Sequence, residues 1–343
     1  MSQHSKILII YTGGTIGMVN DPKTGRLKSF DFDNLYKHIP ELKQFKYQLD
    51  VDSIGNPIDS SEMNVTKWAT IANAIFEKYN NYDGFVVLHG TDTMAYSASA
   101  LSFMLQGLKK PVIFTGSQLP IGQIRTDGKE NLITAIEIAG LKNKEGESLI
   151  QEVAIYFEYS LYRGNRASKI SANHFEAFDS PNYPPLAVAG VDIDFNFSAF
   201  YKPQQKKMEL FTNFDTKIAL LKLYPSMPIE LILNALDINL YKAVIIEAYG
   251  SGNTFYNDEI YKKLKNYTSN GGVVIVTTQC TKGKVTLGKY DSSQLFVDGG
   301  AISGKDITTE AIITKTMYAL GKYKTVSERI KFLEKNCCGE LTD

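Results

Sequence analysis

Glycine and threonine residues are concentrated directly after the first apolar run of the chain. The run Ile7–Tyr11 leads into the motif TGGTIG at residues 12–17. Glycines after a buried strand let the backbone turn sharply and approach a ligand closely. The motif overlaps a dinucleotide-binding loop, but the first glycine of that fingerprint would fall at Thr12, and no second strand ends in an acidic residue about 20 positions later. Taken alone, the loop fits a structural turn and an active site equally well.

A second loop places a threonine beside an aspartate. The apolar run Gly84–Leu88 leads into HGTDTM at residues 89–94. Ligands of open α/β sheets bind beyond the carboxyl ends of the strands, so we expect both loops at the same edge of one sheet. Thr91 and Asp92 could serve there in catalysis and in holding a substrate ammonium group. The competing interpretation is helix capping by Asp92 or Thr93, and this loop in isolation favours it.

The elements that must position these loops follow an α/β pattern, in which short apolar runs alternate with segments of helical periodicity. The predicted strands are 7–11, 84–88, 111–115 and 152–156, and the predicted helices are 66–79, 94–107 and 128–138. Unbroken apolar strands separated by helices predict a doubly wound, mainly parallel sheet covered on both faces. We expect this N-terminal catalytic domain to span residues 1–190.

A polar stretch, residues 191–213, is expected to connect two domains, although part of it could add a strand. The alternation then resumes with strands at 218–223, 243–247 and 272–277 and helices at 228–235 and 258–268, followed by two further helices within 310–337. Residues 214–343 are therefore predicted to form a smaller α/β C-terminal domain.

Composition excludes several classes of protein. Lys+Arg and Asp+Glu balance at 37 each, which gives no argument for nucleic acid or an anionic membrane as a partner. No run of about 18 apolar residues predicts a membrane span. A secretory signal is not expected before Ile7, and the three cysteines, Cys280, Cys337 and Cys338, fit free thiols in a cytoplasmic protein. The histidines, His4, His38, His89 and His174, show no metal-ligand spacing, so neither a metal nor a cofactor is expected.

Five motifs in register resemble the bacterial-type L-asparaginase family, and its cytosolic (type I) branch in particular. They are TGGTIG, HGTDTM, TGSQLP at 115–120, DSSEM at 59–63 and LYRGNRASK at 161–169. YGSGN at 249–253 and GELT at 339–342 resemble the family's C-terminal domain. The resemblance covers nearly the whole chain, and it implies the two-domain asparaginase-like fold and hydrolysis of L-asparagine to L-aspartate and ammonia.

The resemblance also implies a role for each matching residue. Thr15 would be the nucleophile of a threonine acyl-enzyme mechanism, with Thr91, Lys169 and Asp92 as its hydrogen-bonded relay. Lys169 is a base only when neutral; burial favours that form, the nearby Asp92 opposes it, and the sequence leaves the balance open. The implied substrate-binding residues are Gly14, Asp59, Ser60, Ser61, Gly90, Thr91, Asp92, Ser117 and Asn253. Backbone N–H groups near Gly14 and Thr91 would form the oxyanion hole.

Two departures from the family pattern affect these roles. Secreted members carry a tyrosine in the loop after the nucleophile, and Met18–Phe30 contains none here. Tyr290 matches the C-terminal-domain tyrosine of the cytosolic branch and is assigned its catalytic role, with a packed surface aromatic as the alternative. Members activated by substrate carry an arginine where this chain has Glu247. Although Cys280 matches, we predict a degenerate effector site and doubt substrate activation.

Three alternatives remain at this point. The amidohydrolase subunit of an archaeal-type tRNA-dependent amidotransferase resembles the same family but carries an extra domain ahead of its TGGTIG-like loop. A non-catalytic amino-acid-binding protein would keep Asp59–Ser61 without needing Thr15, Thr91 and Lys169 together. A nucleotide-dependent enzyme is disfavoured by the glycine spacing of the loop at residues 12–17.

We expect a homodimer or homotetramer, because the active sites of the family border a subunit contact. Asn253 would then lie near the pocket of the neighbouring subunit.

Overall fold

The computed structural model describes residues 5–20, 27–29, 39–203, 205 and 207–342. The chain divides into two units, Met1–Thr212 and Asn213–Asp343. No helix in these described ranges is both long and apolar enough to span a bilayer.

The strands of the first unit are β1 (Lys6–Gly13), β2 (Met18–Asn20), β3 (Leu27–Ser29), β4 (Gln48–Ile58), β5 (Gly84–Leu88), β6 (Leu105–Gln106), β7 (Val112–Thr115), β8 (Val153–Phe157), β9 (Ser160–Arg163), β10 (Ser168–Lys169), β11 (Phe178–Asp179), β12 (Ala187–Ala189), β13 (Ile193–Phe195) and β14 (Glu209–Leu210). Eight of them form the main sheet, in the order β13-β12-β9-β8-β7-β5-β1-β4. The α-helices of this unit are α1 (Val65–Lys78), α2 (Met94–Met104) and α3 (Gly128–Gly140).

Side chains of β1 alternate between the two faces of this sheet, and both faces are buried. Ile7 and Ile9 belong to the same apolar cluster as Leu132 and Ile136 of α3. Leu8, which points to the opposite face, is 1% exposed. A parallel strand that is covered on both faces consists of a continuous run of apolar residues, which is why the sequence predicts β1.

The predicted doubly wound, mainly parallel sheet is confirmed, with an antiparallel edge added. Strands β4, β1, β5, β7 and β8 are parallel neighbours, whereas β9, β12 and β13 pair antiparallel. β13 lies within the segment 191–213 that we expected to connect the domains, so part of that segment belongs to the large sheet. Helix α2 ends at Met104, before the predicted end at 107, because Leu105–Gln106 pairs with β14.

The second unit contains a parallel four-stranded sheet in the order β15-β16-β17-β18. Its strands are β15 (Ile218–Lys222), β16 (Ala243–Ala248), β17 (Val273–Thr278) and β18 (Ile302–Ser303), and its helices are α4 (Ile229–Ala235), α5 (Asp258–Ser269), α6 (Gln294–Asp298), α7 (Thr309–Lys322) and α8 (Val326–Glu334). Val244 and Ile246 of β16 and Val274 and Val276 of β17 form the centre of its core. Helices α7 and α8 match the two predicted within 310–337.

A buried ion pair fixes the last residues of the second unit. Lys315 Nζ of α7 lies 2.6 Å from Glu340 Oε1, and neither side chain is exposed. The same ammonium donates to the carbonyls of Leu333 and Lys335. The Glu340 carboxylate also accepts the backbone N–H of Cys338. The Lys315 ammonium and the Glu340 carboxylate therefore satisfy each other's charge, and removing either group leaves the other buried and unpaired.

We expect Glu340→Ala to lower the free energy of unfolding by about 3–5 kcal/mol, because it leaves the Lys315 ammonium buried without a counter-charge. Chemical denaturation measures the loss. Glu62→Ala is the control, because Glu62 lies 3.4 Å from Lys67 Nζ with 71% of its side chain exposed. Removing that surface pair should cost less than about 1 kcal/mol. Equal losses in the two variants would contradict the prediction.

Candidate active site

Four loops with predicted site residues leave the carboxyl ends of four adjacent parallel strands. β1 leads to Thr15, β4 to Ser60, β5 to Thr91 and β7 to Ser117, and these strands are neighbours in the order β7-β5-β1-β4. β1 pairs with β4 on one side and with β5 on the other, so the connections diverge around β1. Such a divergence opens a crevice in which open α/β sheets bind their ligands.

Two glycines bring the Thr15 loop into contact with both neighbouring loops. A Cβ on Gly13 would lie 2.2 Å from Ile58 O, and one on Gly14 would lie 2.5 Å from Gly90 N. Their φ angles, 130° and 86°, lie in the left-handed region that side chains disfavour. Thr15 follows at the start of a short 3₁₀ turn and is half-buried. The predicted nucleophile is thus carried by the loop that packs on the β5 loop.

Thr91, Asp92 and Lys169 form a hydrogen-bonded group. Lys169 Nζ donates to Thr91 Oγ1 at 2.8 Å and to Asp92 Oδ1 at 2.6 Å. The Lys169 side chain is 16% exposed, whereas that of Asp92 is 68% exposed. Lys169 reaches the group from β10, far from the β5 loop in sequence. A lysine, a threonine hydroxyl and a carboxylate in this contact can move a proton away from an attacking group.

The segment that carries Lys169 is anchored by a buried arginine at the end of β9. Arg163 Nε lies 2.5 Å from Glu152 Oε2, and both side chains are almost fully buried. The guanidinium also lies 4.4 Å from the ring centroid of Tyr183 and donates to the carbonyl of Ala199 at 2.7 Å. These contacts fix the backbone at Arg163, six residues before Lys169, and the bonds of Lys169 Nζ to Thr91 and Asp92 orient its side chain.

The predicted substrate-binding loop after β4 packs against the β5 loop. The Ser60 hydroxyl would lie 2.6 Å from a Cβ on Gly90, and Thr93 Oγ1 donates to Ser60 O at 2.7 Å. Asp59 Oδ1 accepts both the N–H and the hydroxyl of Ser61, and these bonds lower the pKa of the Asp59 carboxyl. Ser60 is buried, whereas Asp59 and Ser61 are exposed. The loop is close to Thr91 and polar, as a site for an amino-acid backbone requires.

Gln118 is a site contact that the sequence did not predict. Its Oε1 accepts the Thr91 hydroxyl at 3.2 Å, and its Nε2 donates to His174 O at 3.0 Å. The predicted Ser117 instead donates to Leu119 O at 2.6 Å and is buried. Gln118 lies within TGSQLP, but nothing in its type or spacing distinguishes it. Only the register of β7 beside β5 brings it to Thr91.

His89 lies directly beneath the β5 loop and is fully buried. Its Nδ1 contacts Gly90 O at 2.7 Å, and its Nε2 contacts Ser97 Oγ at 2.9 Å. Trp68 Nε1 in turn donates to Ser97 Oγ at 2.8 Å. Burial lowers the pKa of His89 from 6.5 to about 4, so the imidazole is neutral above that pH. An acid–base role near neutral pH is therefore not indicated.

The lowered pKa predicts a loss of stability in acid. The unfolded chain binds a proton at His89 below its ordinary pKa, about 6.5, whereas the folded protein binds it only near pH 4. The free energy of unfolding should therefore fall as the pH decreases from about 6.5 to about 4, by up to about 3 kcal/mol from this residue. Urea denaturation at several pH values measures it. His89→Gln is the reference; a parent curve parallel to that of the variant would contradict the prediction.

The remaining predicted residues belong to the second unit. Asn253 Oδ1 accepts a hydrogen bond from the Ser292 hydroxyl at 3.0 Å. Tyr290, which precedes Ser292 by two residues, is 50% exposed. Glu247 is 8% exposed, and its carboxylate accepts the Thr309 hydroxyl at 2.5 Å. Cys280 is an exposed free thiol. The catalytic role of Tyr290 and the substrate contact of Asn253 stay predictions.

Some predicted features lie outside the described residues. They are His4, His38 and most of the segment Met18–Phe30, namely residues 21–26 and 30. Within the described ranges, no three His, Cys, Asp or Glu side chains are grouped as metal ligands would be.

Comparison with known families agrees with the division of the chain into two units. Residues 6–201 match the family described as Asparaginase, N-terminal, and residues 217–332 match the Glutaminase/Asparaginase C-terminal domain. The chain belongs to the asparaginase family. It is therefore an amidohydrolase of two-domain asparaginase fold, with a large mixed sheet in one domain and a smaller parallel sheet in the other.

Individual asparaginases resemble the whole chain. L-asparaginase 1 of Escherichia coli K12 is 38% identical, and the match covers 99% of both chains. The crystal structure of L-asparaginase I from Vibrio cholerae superposes with a TM-score of 0.87 at 36% identity, covering 99% of this chain and 100% of that one. A mouse protein named 60 kDa lysophospholipase is 36% identical over 100% of this chain, which spans only 63% of the mouse protein.

Proposed function

We propose that this asparaginase-family protein is an L-asparaginase that converts L-asparagine to L-aspartate and ammonia through an acyl-enzyme on Thr15. The observation that carries the proposal is the Lys169 Nζ contact with both Thr91 Oγ1 and Asp92 Oδ1, beside the loop that bears Thr15. A hydroxyl is a weak nucleophile and needs a neighbouring proton acceptor. The Thr91–Lys169 pair meets that need at the correct edge of the sheet.

The first half of the reaction forms an ester and releases ammonia. Thr15 Oγ attacks the side-chain amide carbon of asparagine, and its proton passes through the Thr91 hydroxyl to Lys169, which reacts as the neutral amine. The tetrahedral intermediate collapses as the amide nitrogen accepts that proton back from the pair and leaves as ammonia, so an aspartyl ester remains on Thr15. Backbone N–H groups near Gly14 and Thr91 stabilise the negative oxygen of the intermediate.

The second half of the reaction restores the enzyme. Water attacks the ester carbonyl, loses a proton to the same pair and releases aspartate, while Thr15 Oγ regains its hydrogen. Throughout, Asp92 holds the α-ammonium of the substrate through the carboxylate oxygen that Lys169 does not occupy. Asp59, Ser60 and Ser61 hold the α-carboxylate and amine, and Tyr290 assists the nucleophile. No cofactor enters either half.

Release of ammonia from free L-asparagine tests the proposal. We expect turnover by the isolated protein without tRNA, ATP or added metal, and L-aspartate as the second product in a 1:1 ratio. A binding protein would give no ammonia. The subunit of a tRNA-dependent amidotransferase would be stimulated by its partner and tRNA. Either result would contradict the proposal.

We further propose a cytoplasmic location for the protein. We also propose that it forms a homodimer or homotetramer, and light scattering of the purified protein can measure the mass of that oligomer.

We expect a hyperbolic dependence of rate on asparagine concentration. The Glu247 carboxylate is already held by the Thr309 hydroxyl and lies 3.7 Å from Lys222 Nζ. Glu247 would repel the carboxylate of a second asparagine molecule. An asparagine bound at this position could therefore not stabilise one state of the enzyme over another. Initial rates over a wide range of concentration measure the Hill coefficient. A value clearly above one would show that control survives, and sigmoidality appearing in Glu247→Arg would support the interpretation.

A further inference from the structure

A chain of three buried side chains runs from α1 to the backbone of the β5 loop. The indole N–H of Trp68 can only donate, so Ser97 Oγ accepts it, at 2.8 Å. The single hydroxyl hydrogen of Ser97 then points to His89 Nε2, at 2.9 Å. The ring proton is consequently on Nδ1, which donates to Gly90 O at 2.7 Å. Because the Trp68 N–H can only donate and the Gly90 carbonyl can only accept, the His89 ring can adopt only the Nδ1–H tautomer.

The ring of His89 is enclosed on every side. His89 and Ser97 have no exposed surface, and Trp68 is 6% exposed. The ring meets Phe114 at 5.7 Å between ring centroids, in an edge contact. Solvent therefore cannot replace any bond of the chain, and the ring cannot rotate away from Gly90.

The carbonyl that receives this bond belongs to the peptide between Gly90 and Thr91. A trans peptide is planar, so a fixed Gly90 carbonyl fixes the Thr91 N–H in the opposite direction. Thr91 is the first residue of a 3₁₀ turn, where an N–H has no partner within the helix. Among the described residues no acceptor takes this N–H. The Thr91 hydroxyl, on the same residue, contacts Lys169.

We infer that His89, held as its Nδ1–H tautomer by Ser97 and Trp68, is a positioning residue that aims the Thr91 N–H at the oxygen of the tetrahedral intermediate. This inference rests on the proposed hydrolysis of asparagine through Thr15. The N–H is directed toward negative charge that exists only after attack, so its correct aim stabilises the intermediate more than the bound substrate. Loss of the bond to Gly90 O therefore lowers kcat and leaves KM nearly unchanged.

Two polar substitutions separate the bond to Gly90 from the bond to Ser97. The amide nitrogen of asparagine occupies the place of Nδ1, whereas the terminal group of glutamine occupies the place of Nε2. His89→Asn keeps a donor for Gly90 O, and His89→Gln keeps only a partner for Ser97. We expect His89→Gln to lose about 10²–10³-fold in kcat. His89→Asn should stay within about tenfold of the parent, although it leaves the larger cavity.

The measurements are kcat and KM for asparagine well below the thermal transition of each variant, with the transition temperature recorded beside them. Loss of kcat that follows the transition temperature, equal loss in both variants, or a loss confined to KM would show that His89 only packs. A parent enzyme without ammonia release would instead refute the proposed function before any variant is compared.

The tautomer itself can be observed without turnover. Long-range proton–nitrogen NMR of the ¹⁵N-histidine-labelled parent should show His89 as Nδ1–H across neutral pH, and Ser97→Ala, which leaves the Gly90 carbonyl as an acceptor, should keep that form. The Nε2–H form in the parent would overturn the inference.

Discussion

Replacing Thr15 with alanine should lower kcat for asparagine by at least about 10⁴-fold, because it removes the hydroxyl that forms the ester in the proposed reaction. The residue is half-buried at the start of a short turn, so the free energy of unfolding should change by no more than about 0.5 kcal/mol. Steady-state ammonia release and urea denaturation measure the two quantities. Acid quenching during turnover should also trap an aspartyl ester on the Thr15 peptide of the parent and none in the variant.

Thr15→Ser is the matched control, because it keeps the hydroxyl and removes only the methyl group. It should remain active and still form the ester. A kcat for Thr15→Ala within tenfold of the parent would exclude Thr15 as the nucleophile. So would an ester found on another residue.

Thr91→Val should lower kcat by about 10³-fold or more, because valine keeps the shape of threonine but removes the hydroxyl that transmits the proton. Lys169 Nζ would keep its contact with Asp92 Oδ1 and lose the one with Thr91. Since the lost hydroxyl acts on the proton and not on the substrate's charged groups, KM should change little. Steady-state kinetics with asparagine give both constants.

Thr93→Val provides the same chemical change on the same 3₁₀ turn. The Thr93 hydroxyl donates to Ser60 O, in the loop that we propose holds the α-carboxylate, and does not contact Lys169. This variant should raise KM while keeping kcat within about tenfold of the parent. Similar losses of kcat in the two variants would attribute the effect of Thr91→Val to a general disturbance of the turn.

How much of the fold the sequence predicts depends on how each strand is buried. β5 has the predicted bounds because all five of its residues are buried and form one apolar run. β4 was not predicted, since all of its residues are exposed or half-buried at the edge of the sheet and include Asp50 and Asp52. The short antiparallel strands, such as β12, also escaped prediction because their pairing is set by distant partners.

The candidate site divides in the same way. The glycine-rich loop of Thr15 and the threonine–aspartate pair of the β5 loop follow recognisable apolar runs, so their position made them candidates. A structural turn fitted the first equally well and helix capping was favoured for the second, and only the family resemblance decided between these interpretations. Lys169 looked like an ordinary surface lysine, and only the family resemblance singled it out before its contact with Thr91 was seen. Gln118 and His89 act through contacts between separate strands and helices, which no local pattern contains.

The ion pair between Lys315 and Glu340 bears on how the chain is made. Glu340 leaves the ribosome after every strand of the second unit and after helix α7 itself. Until then the Lys315 ammonium has no counter-charge, and its burial is unfavourable. The first unit, whose sheet is complete by residue 195, can fold during synthesis. The packing of α7 must wait for Glu340, so nascent chains that end before this residue should hold the second unit open to proteases and chaperones.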